Sequence, residues 1–264
     1  MKAIDLPRDR DVWRIAAPMI LSNISVPLLG MVDTGVVGHI DSPGYLGAVA
    51  IGGTIFSFLY TGVNFLRMGT TGIAAQRYGA GDFDGLRVSL GQALVVAQLI
   101  ALALILLQWP VGRVAMQMLG AEVALREHAL EYFDIRIWSA PGTLANFVMI
   151  GWFLGLQNAR VPLVIFLTIN LTNIVLDLVF VLVLGMKVDG VALASVFAEY
   201  TGLAVGLLFA ARELRRNSGH WPMEKFVKLH QYAAFFSVNA NLFVRTMALM
   251  FTIAFVTAQG TRMG

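Results

Sequence analysis

Cysteine is absent from the 264 residues, which excludes a disulfide framework and any thiolate metal site. Charge is scarce as well. Asp, Glu, Lys and Arg make up 13% of the chain, against about 25% in a soluble domain. The net charge is only +3, and the basic residues form no stripe interleaved with aromatics, so nucleic acid is not an expected partner. The chain has no H-E-x-x-H, no G-x-S-x-G and no Gly-Lys-Ser/Thr of a phosphate-binding loop. Its histidines (His39, His128, His220, His230) show no metal-ligand spacing. An enzyme is therefore not the expectation. Without a nucleotide site, uphill work by this chain would have to draw on an ion gradient. The polar start, Met1 to Arg10, followed by a long apolar run without a small-residue cleavage site, does not read as a cleavable signal peptide.

What the chain has instead is apolar length. Hydrophobic residues make up 58%, and the mean hydropathy is +0.73. A membrane-crossing helix needs about 20 mostly apolar residues. On that rule the sequence predicts seven spans, at 12–38, 46–76, 88–118, 127–155, 161–185, 189–211 and 231–260. Gly, Pro, Asn and Asp punctuate the breaks, as in 40–44, 79–85, 157–162, 185–190 and 215–222. Threading with the N-terminus inside places eleven Lys and Arg on inner segments and four on outer ones. That bias predicts a multi-pass protein with a cytoplasmic N-terminus, and a bacterial inner membrane fits it. Six spans, a basic break at 212–230 and a single further span at 231–264 suggest an N-terminal lobe (1–211), a cytoplasmic linker, and the start of an incomplete second lobe.

Two carboxylates fall inside expected spans. Asp33 sits among Gly30, Gly35 and Gly38, on a helix that Pro18 and Pro27 would kink. Asp177 ends the series Asn170, Asn173, Asp177, whose i, i+3, i+7 spacing places all three on one helical face. An ionisable group at membrane depth costs roughly 2.5–3.5 kcal/mol, so chains keep one where it serves transport. Amide and carboxylate oxygens suit a hard cation such as Na⁺, and a proton can replace that ion on the carboxylate. Asp33 could equally sit in a static pair with Arg67, Arg136 or Arg245. Tyr132 reads either as a hydrogen-bonding group in a cavity or as an interfacial aromatic. Ser195 could lend a hydroxyl or simply pack. Glu199 and Asp134 are polar groups in or near spans with no role that the sequence alone assigns.

These segments resemble one known family. Pro27-Leu-Leu-Gly-Met-Val-Asp-Thr-Gly-Val-Val-Gly-His39 looks like the first helix of MATE (multidrug and toxic compound extrusion) transporters, in particular their DinF-like branch. Arg67-Met-Gly-Thr-Thr-Gly-Ile-Ala-Ala-Gln-Arg-Tyr-Gly-Ala-Gly81 is similar to the end of the family's second helix. Gly155-Leu-Gln-Asn-Ala-Arg-Val-Pro162, leading into Asn170-Leu-Thr-Asn-Ile-Val-Leu-Asp177, and Val244-Arg-Thr-Met-Ala-Leu249 extend the likeness over the chain. The resemblance implies an all-α polytopic fold: a six-helix lobe plus the first helix of a second one, out of twelve in a complete member. It implies export of cationic or amphipathic compounds against entry of H⁺ or Na⁺, with no other cofactor. Asp33, Asn173 and Asp177 would take the coupling ion, as metal ligands if that ion is Na⁺. Tyr132, Asn170 and Ser195 would line the cavity. Five helices of the second lobe would have to come from a longer chain or a partner. A flippase for a lipid-linked precursor and a non-transporting seven-helix receptor or scaffold are the rival readings.

Overall fold

The computed structural model describes residues 43–119, 123–217, 219–220, 240–249 and 251–252, with a few isolated positions beside them. The chain there is a bundle of helices: α1 (Pro43–Val63), α2 (Phe65–Gly79), α3 (Phe83–Leu106), α4 (Gln108–Met118), α5 (Val123–Arg136), α6 (Ala140–Gly155), α7 (Arg160–Asp177) and α8 (Val188–Arg216). Among the described residues, five helical stretches are long and apolar enough to cross a membrane: Gly44–Gly79, Phe83–Leu106, Leu125–Gly155, Arg160–Val183 and Val188–Arg216. They correspond to the second through sixth expected spans. The first expected span and most of the seventh lie outside the described residues, although 240–249 is helical.

Two spans differ in their bounds from the sequence reading. The expected span 88–118 begins earlier and ends sooner. Asp82 caps α3 by accepting the Gly85 amide at 2.8 Å, and the Arg77 guanidinium holds its other carboxylate oxygen at 2.7 Å. The far end breaks at Leu107, and α4 follows with Pro110 in its first turn, where a proline lacking its N–H is tolerated. The sixth expected span is longer: α8 runs to Arg216, past residue 211.

Burial explains the arrangement. The window around α5 and α6 is 78% buried, against 22–44% for the other spans, so α6 is the axis of the lobe. Leu144, Val148, Met149, Trp152 and Phe153 on α6 pack with Leu66, Leu86, Leu90 and Ile165. A second cluster gathers Phe56, Tyr132, Phe133, Ile137, Val181 and Val191. Gly151 and Gly155 let α2 lie directly against α6, because a Cβ at either would strike the Arg67 carbonyl or Ala74. On α7 and at the start of the turn after it, Val164, Leu167, Leu171, Val175 and Leu178 are exposed at helical spacing. This is the apolar stripe a span presents to lipid.

Each end of the bundle gathers basic side chains from several helices. Arg87 on α3 donates to the Leu214 and Asn217 carbonyls at 2.5 and 2.8 Å, and Tyr78, Arg160 and Arg216 line one shared hollow. The end of α2, the start of α3, the start of α7 and the end of α8 therefore meet on one side. At the opposite side the Lys187 ammonium donates to the Tyr45 hydroxyl at 2.9 Å.

Candidate functional site

The face predicted on α7 is present. Asp177 is 0% exposed, Asn173 2% and Asn170 8%, while the opposite side of the helix meets the bundle's surroundings. Asn173 reaches across to α8, its Nδ2 lying 3.4 Å from Ser195 Oγ. This leaves the Asn173 carbonyl oxygen as an acceptor. Asn170 Nδ2 is buried without a hydrogen-bond partner among the described residues. A backbone irregularity begins immediately after Asp177: Leu178–Val183 is a π-helical turn, closed by Leu184 N–H donating to the Val179 carbonyl at 3.0 Å. Such turns widen a helix locally and are frequent at functional sites.

Tyr132 lies on α5, which packs against α8. It is 1% exposed and packs in the cluster that includes Val181, Val188 and Val191. Its ring occupies the space that a side chain at position 52 would fill, so Gly52 is what admits it. The Arg136 guanidinium donates to its hydroxyl. Asp33 lies outside the described residues. Asp134 is exposed.

One group that sequence reasoning left unplaced has a defined setting. Glu199 is one helical turn from Ser195 on α8. Its carboxylate accepts Asn146 Nδ2 at 2.8 Å, and its main-chain carbonyl accepts the same nitrogen at 2.9 Å. Thr143, whose hydroxyl donates to the Ser139 carbonyl at 3.1 Å, and Arg136 lie near the carboxylate. Beside it the Tyr60 and Ser139 hydroxyls are 2.9 Å apart. The available signals were the i, i+4 step from Ser195 to Glu199 and the i, i+3 step from Thr143 to Asn146, each of which puts two polar groups on one face.

The donor set around Asn173 consists of one carboxylate, amide carbonyls and a hydroxyl. All are hard oxygen ligands, which fit a proton or a monovalent hard cation. Among the described residues no three His, Cys, Asp or Glu side chains are grouped so as to hold a metal ion.

The comparisons with known proteins agree with this architecture. The MatE family model matches residues 18–179. The chain is 42% identical over 256 residues to the DNA damage-inducible protein F of Escherichia coli (strain K12), covering 97% of this chain and 56% of that protein. It is 28% identical over 194 residues to the multidrug resistance protein MdtK of Cronobacter sakazakii, covering 71% of this chain and 42% of that one. In structure it is similar to an outward-facing multidrug resistance MATE family transporter of the MOP superfamily, with TM-score 0.79 at 22% identity over 94% of this chain and 55% of that one. It is also similar to a MOP superfamily transporter from Pyrococcus furiosus, with TM-score 0.76. The chain thus spans about half the length of the relatives it matches. With a family model covering more than half of its residues and a close sequence relative along nearly its whole length, this chain belongs to the MATE family.

Proposed function

We infer that this chain forms the N-terminal lobe of a cation-coupled efflux antiporter that exports cationic or amphipathic compounds across a bacterial inner membrane. Residues 1–211 make the lobe, 212–230 the cytoplasmic linker, and 231–264 the start of the second lobe. The N-terminus is cytoplasmic. The observation that carries the reading is the buried acid–amide face of α7, with Asp177 fully enclosed and Asn173 reaching Ser195. Asp177, Asn173 and Asp33 take up H⁺ or Na⁺ from the outside. Asn170, Ser195 and Tyr132 shape the cavity beside them. Ion and exported compound disfavour each other's binding, and that coupling is reciprocal. The second lobe supplies the partner surface that alternating access requires. A cleft for an anionic lipid-linked headgroup would need basic lining, whereas the buried carboxylate of α7 is acidic, and this favours the antiporter.

The test is export by the full-length gene product in inverted membrane vesicles, with ethidium as the transported cation and an imposed H⁺ or Na⁺ gradient. Asp177→Asn is expected to abolish gradient-driven ethidium movement while the protein still inserts. Wild-type transport by that variant would sink the reading.

A further inference from the structure

Four arginines converge where α7 begins and α8 ends. Arg160 opens α7, and Arg212, Arg215 and Arg216 occupy the last turns of α8. Together they rim a groove of about 570 Å³ whose floor is apolar: Phe153, Val161 and Phe209. The Arg212 guanidinium lies 5.9 Å from the Phe209 ring. A second hollow of about 270 Å³ adjoins it, sharing Asn158, Arg160, Glu213 and Arg216.

Among the described residues no ion pair neutralises the groove arginines. The ion pairs among the described residues are Arg77–Asp82 and His128–Glu131, and all four groove arginines are exposed. The one carboxylate in the groove, Glu213, accepts the Asn217 side-chain amide at 3.1 Å. The contrast with Arg87 is instructive. That arginine is 5% exposed and uses its guanidinium on the Leu214 and Asn217 carbonyls, so it holds the helix end in place. Among the described residues, the four exposed arginines make no such bonds to main-chain carbonyls.

The groove is also placed at a membrane boundary. It lies at the ends of two spans, Arg160–Val183 and Val188–Arg216. Immediately beyond it along the same helices, Val164 and Leu167 on α7 and Leu207 and Leu208 on α8 are exposed. A cationic rim thus continues into an apolar, outward-facing surface. A small aqueous anion would use the rim and leave the floor and stripe unused. A molecule with an anionic head and hydrocarbon tails uses both, and each arginine near an anionic membrane surface strengthens such binding severalfold.

We propose that the groove between Arg160 and the Arg212–Arg216 turn is a binding site for an anionic phospholipid, with its phosphate among the arginines and its acyl chains against the outer faces of α7 and α8. The site is independent of the Asn173–Asp177 face and of any transport reading.

The test is native mass spectrometry of the full chain released from detergent micelles. The added lipid is palmitoyl-oleoyl phosphatidylglycerol, or phosphatidylcholine with the same chains. Phosphatidylglycerol is expected to bind in preference to phosphatidylcholine. The variant R212Q/R215Q/R216Q should lose roughly fivefold in phosphatidylglycerol affinity per arginine, or roughly a hundredfold in total, with phosphatidylcholine unaffected. Arg113→Gln, an exposed arginine at the opposite end of the lobe, should change nothing. Far-ultraviolet circular dichroism confirms that each variant is folded. Equal binding of the two lipids, or undiminished phosphatidylglycerol binding by the folded triple variant, would overturn the proposal. So would glycerol 3-phosphate competing as well as the intact lipid, because the acyl chains would then contribute nothing.

Discussion

Asn146 donates one amide nitrogen twice to Glu199, to its carboxylate at 2.8 Å and to its main-chain carbonyl at 2.9 Å. A single side chain thereby ties the axial helix α6 to α8 and partners a carboxylate inside a span. Removing it as Asn146→Ala should cost about 1.5–3 kcal/mol, the range for a hydrogen bond to a charged group. Glu199→Gln keeps an acceptor oxygen and should cost less. Thermal unfolding of the detergent-solubilised chain measures both, and a double-mutant cycle of Asn146→Ala with Glu199→Ala, which removes the side-chain acceptor, should show a coupling of about 0.5–3 kcal/mol. Strict additivity would mean that the bond adds nothing to stability.

Gly151 meets the Arg67 carbonyl of α2 so closely that a Cβ cannot be accommodated without movement. Gly151→Ala should destabilise by about 1–3 kcal/mol, the usual cost of overpacking. Gly53, which has nothing near its would-be Cβ, serves as the control. Equal melting of the two alanine variants would show that α2 and α6 do not need their close approach.

Gln157 presents the reverse case. The end of α6 closes with Asn158 N–H on the Phe153 carbonyl at 2.9 Å and Gln157 N–H on the Leu154 carbonyl at 3.0 Å. This pair of bonds requires a left-handed residue, and glycine normally supplies it. Here a glutamine sits at φ 59°. Gln157→Gly should raise stability by up to about 1 kcal/mol, since a side chain in that region costs about 1–2 kcal/mol and glycine's added chain entropy returns part of it. A lower melting temperature would contradict this.

Asp82 both caps α3 and receives Arg77. Asp82→Ala should cost about 1 kcal/mol, mostly from the lost cap, since the Arg77 pair is solvent-exposed and contributes little. Arg77→Gln should therefore be nearly neutral in the same unfolding experiment.

The second through sixth spans were legible because apolar runs of membrane length are a one-dimensional signal. The α7 face was legible because Asn170, Asn173 and Asp177 obey helical spacing on their own. The break at Leu107 was not, since Leu107-Gln-Trp-Pro110 sits inside an otherwise apolar run whose composition does not change enough to mark an end. The π-helical turn after Asp177 was equally hidden, because its residues (Leu178 to Val183) are ordinary span residues. The Glu199 setting escaped because its partners come from elsewhere in the chain: Asn146 is 53 residues away, and Tyr60 and Ser139 meet across 79. Periodicity places residues on faces, but only the packing of α6 against α8 decides which faces meet. The arginine groove was half visible, as a basic stretch on α8. Its fourth member, Arg160, joins only because α7 starts where α8 ends.

The central claim is that the acid–amide face of α7 takes up the coupling ion. The most direct test is ion uptake by the purified protein, by calorimetric titration with Na⁺ at fixed pH and by proton release to an indicator dye. Asp177→Asn, Asn173→Ala and Glu199→Gln are compared with the parent. The parent should bind one of the two ions. Asp177→Asn should abolish that binding. Asn173→Ala should weaken it roughly 10–100-fold, as expected for losing a ligand to a charged group worth about 1.5–3 kcal/mol. Glu199→Gln should retain it. Undiminished uptake by Asp177→Asn, or a loss confined to Glu199→Gln, would contradict the account and move the ion site from α7 to the Asn146–Glu199 pair.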